Sequence, residues 1–170
     1  MGAAQTLISV REYLSTSYQP DVDYVDGEIE ERNVGEKEHG QLQLRMAFLL
    51  TLQQKLLPFL DTRLRVSPTR YRVPDLCAYE KEPDESVFSQ PPDLCIEILS
   101  PEDRLSRCVK VVQDYLSIGV PTVWVLDPLE KIAYVATQTE AFHQVRDRIA
   151  TSDGKVEFTL EQIFSNERLF

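Results

Sequence analysis

Two carboxylates are singled out by the residues around them. Glu97 interrupts the apolar run Leu-Cys-Ile-Glu-Ile-Leu at residues 94–99, and Asp75 opens the run Asp-Leu-Cys-Ala-Tyr at residues 75–79. A glutamate inside a buried strand costs several kcal/mol, roughly, unless a cation or hydrogen bonds meet it, so Glu97 needs a partner. The chain offers two aspartates in a repeated tetrapeptide, Pro74-Asp75-Leu76-Cys77 and Pro92-Asp93-Leu94-Cys95. Asp93 would share a strand with Glu97 and lie roughly 13 Å from it at ~3.3 Å per residue. That is too far for oxygens that must converge on one ion. Asp75 belongs to the preceding strand, and cross-strand pairing would set its carboxylate directly beside Glu97. Two such carboxylates repel each other and tend to share a proton. A hard divalent ion removes that penalty, and Mg²⁺ is usually held by one or two carboxylates, water and substrate phosphate. Asp75, Glu97 and the Ile98 carbonyl therefore form a candidate open metal site, with the means to polarise a phosphodiester, activate water and stabilise a leaving oxygen. Salt bridges to nearby arginines would satisfy the same acids without any chemistry.

The elements that must position these acids are legible in residues 91–128. Residues 94–99 and 122–126 read as buried strands. Between them Leu105, Cys108, Val109, Val112, Tyr115 and Leu116 recur at helical spacing. A helix between two short apolar strands predicts a parallel β-α-β unit covered on both faces. Asp103 lies near the helix start and Gly119 supplies its C-terminal cap. Upstream, residues 6–15 predict a short packing helix with Val10 and Leu14 on one side. Residues 21–33 predict a hairpin turning at Asp26-Gly27, its acids forming a solvated edge. Residues 35–57 predict the first long helix, apolar on two stripes: Leu42, Met46, Leu49, Leu50, Leu56 and Leu57, then Leu44, Phe48 and Leu52. Strands are predicted at 62–66, 69–73 and 75–79, a polar loop at 80–92, and a strand after Pro128. A last hairpin or strand (144–148, 155–158) and a short helix, Leu-Glu-Gln-Ile-Phe, complete the chain. The fold class is α/β with a mixed sheet.

A chain of 170 residues is long enough for one well-cored domain and too short for two ordinary ones. The expected division is an N-terminal helix and hairpin extension at 1–34, a core at 35–137 and a C-terminal extension at 138–170. No apolar run reaches membrane-spanning length, and the N-terminus lacks the basic start and apolar core of a signal peptide. Three cysteines without metal-like spacing predict buried free thiols in a reducing cytoplasm. The net charge of −10 repels phosphate at long range. Even so, Arg63, Arg65, Arg70 and Arg72 crowd one short stretch and are candidate phosphate contacts, or else a charge ladder facing the acidic hairpin.

The order helix, strands with Pro74-Asp75, strand with Glu97, helix, strand resembles the PD-(D/E)XK phosphodiesterase superfamily. More specifically, the chain resembles the bacterial Uma-two family of restriction-endonuclease-like proteins. The strings that carry this likeness are YVDGEIEERNVGEKEH, PDLCAYEKE, PPDLCIEILSPEDR and YLSIGVPTVWVLDP, spread over nearly the whole chain. The resemblance implies a restriction-endonuclease-like core and a Mg²⁺-dependent DNA-cleaving activity, with Mn²⁺ as a substitute. It also implies a frequent homodimer and a metal site on Asp75 and Glu97. In the superfamily an acid of the first helix often assists, which points to Glu36 or Glu38 with His39 nearby. The departure is the lysine. The superfamily pattern places it two residues after the glutamate, where this chain has Leu99. In the Uma-like branch it lies four residues before a helical aromatic, and four before Tyr115 is Val111. Lys110 is one residue off, about 100° around the helix, and so points toward solvent. Arg104 and Arg107 share the face of Val111 and offer positive charge, although a guanidinium makes a poor base. The alternative that these residues leave open is a catalytically degenerate nuclease fold, kept as a nucleic-acid-binding or protein-interaction module.

Overall fold

The computed structural model describes residues 6–168. The first five residues and the last two, which enter the reading of the N-terminus and the expected division, lie outside the described residues. The elements run α1 (Val10–Ser15), β1 (Val22–Val25), β2 (Glu28–Glu31), α2 (Lys37–Gln53), β3 (Leu57–Leu60), β4 (Leu64–Ser67), β5 (Arg70–Arg72), β6 (Leu76–Tyr79) and β7 (Leu94–Ile98). They continue with α3 (Leu105–Ser117), β8 (Thr122–Asp127), β9 (Ile132–Thr137), β10 (His143–Val145), β11 (Arg148–Ala150), β12 (Glu157–Thr159) and α4 (Leu160–Phe164).

Six strands in the order β10-β9-β8-β7-β6-β3 form the central mixed sheet. Among the described strand pairs of this sheet the β7–β8 pair alone is parallel, joined by α3 as the apolar pattern predicts. Alternation along β6 and β7 divides the core. Leu76, Ala78, Leu94, Ile96 and Ile98 pack on the side of α2, where Leu42, Met46 and Leu50 are buried. Cys77, Tyr79 and Cys95 pack on the side of α3, against Cys108, Val111, Val112 and Tyr115. Glu97 shares its parity with Cys95, and Asp75 with Cys77, so both acids face α3. The β11–β12 hairpin and α4 close the α2 side, where Trp124, Phe158 and Ile163 meet. A second sheet, β2-β1-β5-β4, carries the N-terminal hairpin, with α1 placing Tyr13 among Val22, Tyr24 and Tyr71.

The hairpin turns at Asp26 (φ 51°) and Gly27 (φ 99°), the two positive values that a two-residue turn matching strand twist requires. Gly119, at φ 97°, follows the C-cap of α3. The long helix is shorter than the apolar stripes predict. Gln54 adopts the left-handed conformation and ends it, and residues 57–60 leave it to become the edge strand β3 against β6. Pro58 is tolerated there because an edge strand has a side on which its missing N–H is not needed. The second stripe is not buried as expected, since Leu44 and Leu52 are exposed, as is Leu105 at the start of α3. The hairpin acids are not all a solvated edge either: Asp23 is buried. All three cysteines are buried and free, and burial pushes the Cys77 thiol up to about 12, which leaves no reactive thiolate there.

Candidate active site

The β6–β7 register pairs Leu76 with Ile96 and Cys77 with Cys95. Extended by one residue, it sets Asp75 opposite Glu97. Asp75 is 5% exposed and fully engaged. Its Oδ1 accepts from Arg32 Nη2 at 2.6 Å, and its Oδ2 accepts from the Ile98 N–H at 2.7 Å. His39 Nε2 lies 3.4 Å from Oδ2. The backbone explains the strand-end bond. Proline before Asp75 has no N–H, and the Ile98 amide, past the last β6–β7 pair, finds a side-chain carboxylate instead of a main-chain partner. Glu97 is partly buried and its Oε1 accepts from the Tyr115 hydroxyl at 2.5 Å. Arg32, Asn33, His39, Asp75, Glu97, Ser100, Asp103, Arg104 and Arg107 line one cleft with Val111 and Leu99. It encloses about 40 Å³, room for a few water-sized groups at roughly 10–15 Å³ each.

The charges in this cleft perturb one another. Burial, then the charge of Asp75, pushes the Glu97 carboxyl well above its ordinary range, against the opposing pull of Arg32 and the Tyr115 hydrogen bond. Burial works against the Arg32 charge, yet the carboxylates of Asp75, Glu97 and Asp23 hold its pKa above the usual arginine value. Burial likewise opposes a charged His39, but the hydrogen bond and charge of Asp75 raise it above the ordinary 6.5. Burial and Glu97 together keep the Tyr115 phenol protonated, so it remains a donor.

Two of these groups, Arg32 and Tyr115, were not expected at the site from the sequence. Arg32 is an isolated cation following an acid-rich strand, and Tyr115 is the residue of the α3 stripe with a polar tip. Those were the available signals. Of the expected residues, Asp75, Glu97, Ile98, His39, Arg104 and Arg107 line the cleft. Lys110 is exposed and outside it. Glu36 is the exposed N-cap of α2 and Glu38 pairs with Lys37 at 3.4 Å, and neither is among the residues lining the cleft.

A family model described as "Putative restriction endonuclease", Uma2, matches residues 10–167. The chain belongs to the Uma2 family. A solved structure described as a putative nuclease belonging to DUF820, from Anabaena variabilis ATCC 29413, superposes on this Uma2 protein with a TM-score of 0.80. The two are 21% identical, over 93% of this chain and 98% of that one. At that identity the shared property is the restriction-endonuclease-like fold. Among curated proteins there is no significant match.

Four of the arginines expected on phosphate are differently disposed in the Uma2 chain. Arg72 is buried and ties three elements together: Nη1 reaches Asp23 at 3.0 Å and Glu30 at 2.7 Å, and Nε donates to Asp114 of α3 at 2.8 Å. Arg70 pairs with Asp26 and Asp114. Arg63 donates to the carbonyls of Leu14 and Thr16 and lies over the Tyr13 ring, 4.6 Å from its centroid. Arg65 is exposed and reaches no further than the Ser67 carbonyl, and the paired Arg70 side chain is still 40% exposed. Three of the four thus tie the hairpin and α1 to neighbouring elements, which is the charge ladder facing the acidic hairpin. Arg72→Lys keeps the charge but not the planar fork. It is expected to lower stability by about 1.5–3 kcal/mol, the worth of one charge-assisted hydrogen bond, and a urea unfolding curve with an unmoved midpoint would refute this.

Restriction-endonuclease-like nucleases generally use divalent metals, and the residues present fit a hard one. Among the described residues no group of three or more His, Cys, Asp or Glu could hold a metal ion. An ion here would therefore take two carboxylates, a main-chain oxygen and water. Mg²⁺ accepts such sparse protein coordination, whereas softer metals seek nitrogen and sulfur. The main-chain oxygen placed to serve it would be the Ile98 carbonyl. In an extended strand a residue's N–H and C=O face the same edge, here the edge of Asp75, and the residue opposite is Pro74, with no N–H to claim it.

Proposed function

We propose that this Uma2 protein is a metal-dependent DNA endonuclease that hydrolyses phosphodiester bonds, acting in the cytoplasm as a homodimer. The observation that carries this reading is the pair of carboxylates, Asp75 and Glu97, set opposite each other at the end of β6 and β7 in a cleft rimmed by Arg32, Arg104 and Arg107. Asp75, Glu97 and the Ile98 carbonyl would hold Mg²⁺, with Mn²⁺ as a substitute, and the ion supplies Lewis acidity toward the phosphodiester and activates water. Arg104 and Arg107, at the start of α3, draw the phosphate in against the repulsion of an acidic chain. Tyr115 fixes the Glu97 carboxylate through its hydroxyl. His39 adds positive charge beside Asp75 when protonated.

A second reading has one observation in its favour. Among the described residues no lysine lines the cleft, and where the family's lysine is expected on α3 the cleft meets the apolar Val111. A fold so altered would bind nucleic acid or a protein partner without cutting. The deciding experiment is cleavage of a panel of plasmid, linear and single-stranded DNA with Mg²⁺ or Mn²⁺. Metal-dependent nicking by the wild type, lost in Glu97→Gln, supports the endonuclease. DNA binding whose affinity falls steeply with salt, without cleavage under either metal, supports the binding module.

A further inference from the structure

We propose that Arg32 is the resident counter-ion of the acidic pair, displaced from Asp75 toward Asp61 when a divalent cation binds. The inference rests on the metal-dependent reading and adds a positioning residue that neither the family's acids nor its lysine supplies.

Both oxygens of Asp75 are in use, Oδ2 by the rigid Ile98 amide and Oδ1 by the Arg32 guanidinium at 2.6 Å. An Mg²⁺-sized ion binds a carboxylate oxygen at about 2.0–2.1 Å. The Oδ1 lone pairs that face the cleft cannot serve the guanidinium and the ion at once without setting two cations within contact distance. One bond must yield. The Ile98 bond belongs to the strand, while Arg32 lies beyond the end of β2 on a flexible side chain. Arg32 also has somewhere to go: its Nη1 is already 3.6 Å from Asp61 Oδ1, whose side chain is 42% exposed. Asp61 is itself steadied by Gln43, whose Nε2 donates both to Asp61 Oδ2 at 3.1 Å and to the Asp75 carbonyl at 2.8 Å. A short shift within this cluster passes the guanidinium from a buried carboxylate to a solvated one and opens Oδ1 to the ion. Arg32 thus keeps the acids neutralised in the metal-free protein and sets how tightly the ion is held.

The test is Mn²⁺ binding, followed by electron paramagnetic resonance of the free ion and by calorimetry, with no nucleic acid present. Wild type, Arg32→Gln, Arg32→Lys and Asp61→Asn are compared. Arg32→Gln should bind Mn²⁺ roughly 10–100-fold more tightly, the equivalent of releasing one charge-assisted hydrogen bond, and Arg32→Lys should stay near wild type. Asp61→Asn, an exposed change that leaves the core intact, should weaken binding because the displaced guanidinium loses its second carboxylate. Equal or weaker binding by Arg32→Gln overturns the inference while leaving the metal site standing. Should Arg32→Gln fail to fold, unchanged affinity in Asp61→Asn overturns it instead. Absence of Mn²⁺ binding in both wild type and Arg32→Gln overturns the metal-dependent reading and the inference together.

Discussion

Asp75→Ala is expected to lower the melting temperature of the metal-free protein by about 6–20 °C as well as to abolish metal-dependent cleavage. The reason lies in what the carboxylate holds. It is 5% exposed and is the nearest anion to Arg32, whose side chain is 16% exposed. Removing one partner of a buried pair costs about 3–5 kcal/mol where the other charge is left uncompensated, and the lower end applies to the extent that Arg32 shifts to Asp61, 3.6 Å away. In a chain of this size about 2–4 °C accompanies each kcal/mol. The Ile98 amide loses its acceptor in the same step. Differential scanning calorimetry of the wild type and variant without metal measures the effect directly. A melting temperature within a degree or so of wild type would mean that Arg32 is already satisfied elsewhere. The consequence for enzymology is practical: lost cleavage in Asp75→Ala does not by itself distinguish a missing metal ligand from a weakened fold. The double variant Asp75→Ala with Arg32→Met removes both charges and should recover part of the stability, but none of the cleavage.

The central unit was legible in the sequence because its signals are local. A helix with one apolar stripe between two short apolar strands, capped by Gly119, specifies a parallel crossover whatever the rest of the chain does. Asp26-Gly27 specifies its turn in the same way. The end of the long helix was not legible. Gln54 takes a left-handed conformation that a glycine would have advertised, and Leu56 and Leu57 continue the helical rhythm although residues 57–60 pair with β6. The acidic pair could be read because strand register follows from two short connected segments. Its counter-ion could not be read. Arg32 and Asp75 are 43 residues apart, and they meet only because the hairpin, clamped by Arg72, folds back over the end of the central sheet. The partners of the arginine cluster could not be read for the same reason. Asp23, Asp26 and Asp114 lie 42 to 49 residues away, and charge crowding in sequence says nothing about which charges are already spoken for in space.

Glu97 offers the complementary case, since its substitution should remove function while sparing the fold. A carboxyl whose pKa is raised by folding holds its proton more readily in the native than in the unfolded chain. Its contribution to stability is full below the unfolded value, about 4.5, and is lost as the pH rises through the raised native value. Burial and the neighbouring Asp75 both push Glu97 in this direction, with each unit of displacement worth about 1.4 kcal/mol. Glu97→Gln keeps an acceptor for the Tyr115 hydroxyl and does not titrate. Without metal, the variant should therefore match the wild type near pH 4 and become progressively the more stable of the two as the pH is raised, levelling off once the native carboxyl has ionised. Melting curves from pH 4 to 8 test the sign: a variant that loses ground to wild type with rising pH would show that Glu97 is stabilised as an anion. Added Mn²⁺ should then reverse the order at neutral pH. The wild type gains stability by mass action when an ion binds the native state alone, and the variant, lacking the second carboxylate, should gain little. The same substitution that strengthens the empty fold would thus remove the acid on which the proposed cleavage rests, which is the trade expected if two carboxylates are kept side by side for a cation rather than for packing.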